Sequence, residues 1–232
     1  MSTLIKICGI TSVEDAIASI EAGADYLGLI FVASSPRTIS LAAAREITRE
    51  IRGRAMIVGV FQNAPSTLIH KHTENLELDL IQLHGNESPE VCSQMPRPVI
   101  KAITTQGFPN MESISKYLPD TKHNIHSLLL DFPKTSVHEN WTNYPHSAAS
   151  ELKHSRHFIA GRITPETVAE IVTRFQPDGI DVASGVESQP GIKDQKKMLA
   201  FCQAVRDVNS NLLTPQFTSA SPTHNEPSIC AL

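Results

Sequence analysis

Short apolar runs alternate along this chain with stretches whose apolar residues recur every three or four positions. The runs are LIKIC (4–8), DYLGLIF (25–31), AMIVGVF (55–61), DLIQLH (79–84), PVIKAI (98–103), SLLLDF (127–132), HFIAG (157–161) and GIDVAS (179–184). Each has the length and the Val, Ile, Leu and Phe content of a strand. Between the first two, Val13, Ala16, Ile17 and Ile20 share one helical face, with Ser12 placed to cap and Gly23 to stop the helix. The stretch 40–52 repeats the device: Ser40 caps, Leu41, Ala44, Ile47 and Ile51 form the stripe, and Gly53 ends it. Further helix starts fall at 64–68, 86–90, 110–114, 164–168 and 191–195, with Thr164-Pro165-Glu166 carrying both a cap and a first-turn proline. The interval 132–156 is poorer in signal and holds one loop and one helix candidate, 144–153.

Strand then helix, repeated, means parallel strands joined by right-handed crossovers. Eight such units in 232 residues predict a single closed (β/α)8 barrel, a TIM barrel, over residues 1–208. An open doubly wound sheet is the structural alternative, but no G-x-G-x-x-G or Walker loop follows any strand. From residue 209 the sequence turns to Ser, Thr, Pro and Asn without sustained period, and residues 209–232 read as a disordered tail.

Composition narrows the function classes. With 41% hydrophobic residues, 19% charged and a net charge of −4, the chain is an ordinary globular one without a basic footprint, so no nucleic-acid partner is expected. No run approaches the roughly 18 apolar residues of a membrane span, and no signal-peptide core opens the chain, so no membrane partner and a cytoplasmic location are expected. The four cysteines, 8, 92, 202 and 230, form no C-x-x-C pair and are read as reduced thiols; Cys230-Ala-Leu is one residue short of a prenylation box. There is no H-E-x-x-H motif, and no metal is expected. Protein partners are not legible.

Barrels build their sites at the C-terminal ends of the strands. Cys8 ends the first run; it reads either as a small packed hydrophobe or as a thiol activated by the helix start that follows. Asp131 follows a triple leucine at the end of the sixth run, either as a cap or ion-pair partner or as a carboxyl that holds a proton against an apolar wall and donates it. Arg37, in SSPRTIS after the second run, is either a surface charge or a fork for a planar carboxylate. Gln82 and His84 end the fourth run, either as hydrogen-bonded structure or as site residues. The pairs His123/His126 and His154/His157 read as scattered surface residues. The loops AGRITPE (160–166) and ASGVES (183–188) follow the last two runs, where such barrels bind phosphate, and their glycines permit close backbone approach to an anion. A small phosphorylated substrate fits that arrangement.

Taken together, KICGIT, GADYLGLIF with SPRTIS, IQLHGNE, LLLD, IAG and GIDVASGVE with PGIKD closely resemble the phosphoribosylanthranilate isomerase family of tryptophan biosynthesis, in order and spacing, over residues 4 to about 207. The resemblance implies a cofactor-free (β/α)8 barrel that performs the Amadori rearrangement of N-(5-phosphoribosyl)anthranilate. It implies Cys8 as general base, Asp131 as general acid and Arg37 as the grip on the anthranilate carboxylate. Gly161, Ser184 and Gly185 match positions near the phosphate, and Asp181 falls on a family motif in a positional role. Two departures stand out: the family's G-G-T-G segment after the strand-six aspartate is absent from DFPKTSVHENW, and A-G-G after strand seven has become Ala160-Gly161-Arg162. They leave open a related isomerase of relaxed specificity that also accepts the histidine-pathway aminal, and a degenerate barrel that binds a phosphorylated ligand without turnover.

Overall fold

The computed structural model describes residues 2–104, 114–118, 124–132 and 155–213. Eight parallel strands close into a barrel: β1 (Leu4–Cys8), β2 (Tyr26–Ile30), β3 (Met56–Phe61), β4 (Leu80–Leu83), β5 (Val99–Thr104), β6 (Ile125–Asp131), β7 (His157–Ala160) and β8 (Gly179–Val182). Closure comes from β1 pairing with β8, with Lys6 opposite Asp181. Outside run α1 (Val13–Ala22), α2 (Leu41–Ile51), α3 (Ser66–Leu76), α4 (Pro89–Ser93), α5 (Val168–Phe175) and α6 (Gln195–Leu213). The predicted single barrel is the observed one.

Strand alternation divides the apolar residues into two cores. One lies between sheet and helices and takes Ile5, Ile7, Leu27, Leu29, Ile81, Leu83, Leu128 and Leu130 with the helix stripes. The other fills the interior with Leu4, Tyr26, Val58, Leu80, Ile100, Leu129 and Phe158, the Tyr26 and Phe158 rings meeting edge to face at 5.5 Å. The parity that sends Leu4 inward also sends Lys6 and Cys8 inward, one above the other, toward the mouth.

An aspartate ahead of β2, β4 and β8 fixes the register of the strand before each. The Oδ2 atoms of Asp25, Asp79 and Asp178 accept hydrogen bonds from the backbone N–H groups of Ile5, Ile57 and His157 at 2.8, 2.7 and 2.9 Å. Each acid thus satisfies a strand-end donor that would otherwise lie unpaired at the barrel's lower rim. The predicted caps are also present: Ser12 and Ser40 accept from Asp15 N and Ala43 N.

Four sequence expectations change. Residues 209–213 belong to α6 instead of a tail: Asn209 accepts from Thr3 N at 2.8 Å and donates to Thr3 O at 3.1 Å, and these tertiary bonds override a locally poor helix sequence. Residues 214–232 lie outside the described residues, as do the helix candidate 144–153 and the start of the one at 110–114. The stretch after β8 is a 3-10 turn, Ser184–Val186, and a hairpin of β9 (Glu187–Gln189) and β10 (Ile192–Lys193), so α6 starts at 195 and not at 191. Thr164-Pro165-Glu166 forms a turn that precedes α5, with Thr164 O accepting from Thr167 N and Val168 N. His157 is buried at the foot of β7, its Nδ1 3.2 Å from Ser155 O, and His126 is half-buried beside Ser127 and Arg156; His123 and His154 lie outside the described residues. No helix among the described residues is long and apolar enough to cross a membrane.

Candidate active site

The C-terminal ends of the strands surround a cavity of about 560 Å³, and all nine residues singled out from the sequence line it. Cys8 enters from β1 and Asp131 from β6, a thiol and a carboxyl at separate strand ends of one mouth. Gln82 ends β4 and His84 follows it; Asp181 reaches in from β8; Gly161, Ser184 and Gly185 form the rim between the β7 and β8 loops.

Cys8 is buried, and burial pushes its thiol above the ordinary range. The Lys6 and Lys193 ammonium groups pull it back down, while the Asp181 carboxylate adds to the upward push. The charges acting on the sulfur are therefore those of neighbouring side chains, where the sequence pointed to the start of α1. The glycine after Cys8 has a local reason: a Cβ on Gly9 would lie 2.5 Å from Arg37 Cδ, so the glycine lets the arginine stem cross the end of β1.

Arg37 does not present its whole fork to the cavity. Its Nε and Nη2 donate to Oε1 and Oε2 of Glu187 at 2.7 and 2.6 Å, leaving Nη1 and the second Nη2 hydrogen as the edge for a ligand. Glu187 also accepts from Lys193 Nζ at 3.0 Å; burial pushes its carboxyl up, and the two cations more than offset this and hold it below its ordinary value. Lys193 in turn donates to Cys8 O at 2.6 Å and Ala183 O at 3.1 Å, tying the hairpin to the ends of β1 and β8.

Asp131 is not enclosed by an apolar wall. Its side chain is 30% exposed and its Oδ2 lies 3.2 Å from His84 Nε2. Gln82 Nε2 is 2.9 Å from His84 Nδ1, and with that amide as donor the imidazole proton sits on Nε2 and is donated to Asp131. Gln82 is itself buried, and its Oε1 is enclosed with no hydrogen-bond partner. At the rim, Gly161 and Gly185 let three loops touch: a Cβ on Gly161 would strike Phe132 O at 2.5 Å and one on Gly185 would strike Ile163 O at 1.8 Å. Arg162 beside them takes a left-handed backbone, φ 48°, a conformation that favours glycine. Among the described residues no group of three or more His, Cys, Asp or Glu could hold a metal ion. The loop after Phe132, where the family's glycine-rich segment is missing, lies outside the described residues.

The family profile for N-(5'-phosphoribosyl)anthranilate isomerase matches residues 5–204. The chain belongs to this family. Among its phosphoribosylanthranilate isomerase relatives, that of Geotalea daltonii is 38% identical over 211 residues, 88% of this chain and 97% of the relative. That of Nitrosococcus oceani is 36% identical over 215 residues, 90% of this chain and all of the relative. A crystal structure of phosphoribosyl anthranilate isomerase in complex with reduced 1-(o-carboxyphenylamino)-1-deoxyribulose 5-phosphate superposes with a TM-score of 0.78 at 31% identity, covering 88% of this chain and 99% of that one. The Thermus thermophilus isomerase superposes with a TM-score of 0.75 at 33% identity, covering 89% and 100%.

Within this isomerase family chain, sequence reasoning missed Lys6, Gly28, Glu187 and Lys193. Lys6 carried a signal, since a lysine at an inward position of a barrel strand needs a buried partner. Glu187 and Lys193 stood inside the SGVE and PGIKD motifs but were given no role, because their approach to the site depends on a hairpin read as loop and helix.

Proposed function

We propose that this chain converts N-(5'-phosphoribosyl)anthranilate to 1-(2-carboxyphenylamino)-1-deoxyribulose 5-phosphate, the Amadori step of tryptophan biosynthesis. The observation that carries the reading is the meeting of Cys8 and Asp131 at one cavity mouth in a chain of this family. Asp131 supplies a proton to the furanose ring oxygen as the C1–O bond breaks, and the anilinic nitrogen lone pair completes a protonated imine. The Cys8 thiolate then takes the proton from C2; the C–H pair becomes the C1=C2 bond of an enolamine, which tautomerises to the ketone. His84 orients the Asp131 carboxyl, and Gln82 orients His84. Arg37 holds the anthranilate carboxylate on its free edge, and Asp181 lies below the reacting groups.

Phosphate sits over the loops after β7 and β8, where Gly161, Ser184 and Gly185 keep side chains out of the way and Arg162 brings a positive charge. A catalytic thiol at Cys8 suits the reducing cytoplasm.

The test is a fluorescence assay on freshly generated substrate. Cys8→Ser and Asp131→Asn are each expected to lower kcat by about 10² or more with KM changed far less. Near-normal turnover in either variant sinks the assignment of that residue. Running the histidine-pathway aminal in parallel reads specificity directly: turnover of both substrates would mark a relaxed isomerase, and tight binding without turnover of either a degenerate one.

A further inference from the structure

Below the reacting groups lies a charged layer that none of these steps uses. Lys6 on β1 is fully buried, and its Nζ lies 2.8 Å from Asp181 Oδ1 on β8, its register partner across the closing seam. Two residues further along β1, on the same inward face, is Cys8, whose sulfur feels the charge of the Lys6 ammonium. Stability does not account for the pair. Taking an ammonium and a carboxylate out of water costs several kcal/mol per ion, and well-packed apolar residues in their place are often as stable or more so.

Donor accounting separates Lys6 from the other nearby cations. Lys193, on β10, makes three bonds with its three donors, to Cys8 O, Ala183 O and Glu187 Oε1, and has none left for the sulfur. Arg37, in the loop after β2, is forked onto Glu187. β2 itself faces Cys8 with Gly28, which has no side chain. Lys6 gives one hydrogen to Asp181 and has two further donors on the inward face it shares with Cys8.

We propose that Lys6 and Asp181 form a charge-setting pair for Cys8, with Lys6 positioning and stabilising the thiolate and Asp181 tempering its pull. The tempering matters because a thiolate stabilised too strongly is a poor base toward carbon. When the sulfur takes the C2 proton, its S–H bond forms, the C2–H pair moves into the enolamine, and the negative charge beside Lys6 is discharged; the Lys6–Asp181 pair remains and holds the interior neutral. Lys6 and Asp181 are positioning residues in this scheme, since neither touches the reacting carbon.

The pair acts in opposite senses, which a merely structural role does not reproduce. In the full chain, the alkylation rate of Cys8 by iodoacetamide is followed against pH, with the modified peptide identified by mass. Cys92 and Cys202 lie in the outer core with thiols pushed up to about 11 and serve as internal references. Lys6→Met is expected to raise the Cys8 midpoint by about one pH unit or more, and Asp181→Asn to lower it. The thiol limb of kcat/KM is expected to move the same way in each variant. Midpoints that stay put, or move in the same direction, overturn the proposal. If Lys6→Met does not fold, the near-isosteric Asp181→Asn decides alone, and an unmoved or raised midpoint overturns the pair. The inference rests on Cys8 being the base, but alkylation requires no turnover. Failure of the base reading shows as an active Cys8→Ser enzyme, whereas failure of the pair shows as unmoved alkylation midpoints.

Discussion

Arg37 and Glu187 meet fork to fork across the cavity mouth, with Nε to Oε1 at 2.7 Å and Nη2 to Oε2 at 2.6 Å. Glu187 has a nearly buried side chain, and the pair fixes the guanidinium plane so that its other edge is available to a planar carboxylate. Such two-point recognition is lost when the fork is replaced by a point charge. Arg37→Lys is therefore expected to raise KM about tenfold, near 1.4 kcal/mol, with a smaller change in kcat. Glu187→Gln should move KM in the same direction, because it frees the guanidinium to rotate. Steady-state kinetics on both variants checks this, and an unchanged KM in Arg37→Lys removes the carboxylate role.

Gly28 makes the space in which the Cys8 sulfur sits. A Cβ at this position would lie 2.6 Å from Sγ and 3.1 Å from Cys8 Cα, and the two residues are paired in register across β1 and β2. Gly28→Ala must displace the thiol or spread the strands. The expected outcome is a kcat lowered about tenfold to a hundredfold by misplacement of the base, with a stability loss of about 1–3 kcal/mol from overpacking. Comparing kcat with thermal unfolding distinguishes the two: a fall in stability with kcat intact would mean that the strands, and not the sulfur, had yielded.

Arg162 occupies a left-handed backbone position at the cavity rim. That conformation costs a non-glycine residue roughly 1–2 kcal/mol, whereas glycine brings its own penalty of roughly 0.5–1 kcal/mol in backbone entropy. Arg162→Gly should consequently change stability by no more than about 1.5 kcal/mol, and any large kinetic effect isolates the guanidinium. KM for the phosphorylated substrate is expected to rise about tenfold in Arg162→Gly and to stay within a few-fold of the parent in Arg162→Lys. Equal KM values in all three proteins would leave the arginine without a part in substrate binding.

How far the sequence disclosed this molecule depends on how local each cause is. Strand runs and the Ser12 and Ser40 caps follow from nearest neighbours, and they appear where the chain places them. Cys8, Asp131, Arg37, Gln82 and His84 were legible because a barrel brings strand ends together regardless of loop detail. The partners of those residues were not legible. Glu187 engages Arg37 from 150 residues away, and Lys193 reaches Cys8 from 185 away, through a hairpin whose Ser-Gln-Pro-Gly sequence reads locally as a loop. Asn209 likewise looks like a tail residue until Thr3, 206 positions earlier, is seen to bond it.

The loop that carries His84 is held by another buried ion pair, on the outer side of β5. Lys101 Nζ donates to Leu83 O, Gly85 O and Glu87 Oε2 at 3.2, 2.7 and 3.0 Å, while Glu87 accepts from Asn63 N and Gly85 N at 2.8 and 2.9 Å. Burial pushes the Glu87 carboxyl up, but Lys101 and the Asn63 N–H more than offset it and hold it below its ordinary value of 4.5. A carboxyl depressed in the folded state contributes stability that is fully present above its unfolded value and is lost as pH falls through the folded one. Glu87→Gln leaves the Lys101 charge buried without its partner, so a loss of about 3–5 kcal/mol is expected at neutral pH. The gap between parent and variant should then narrow on acidification below 4.5, as protonation of Glu87 removes the same attraction from the parent. Urea unfolding of both proteins across that range checks the sign, and a gap that is constant or widens with acid excludes Glu87 as an ionised partner of Lys101. Because Gly85 follows His84, kcat of Glu87→Gln measured well below its unfolding midpoint should also fall, through a displaced imidazole beside Asp131.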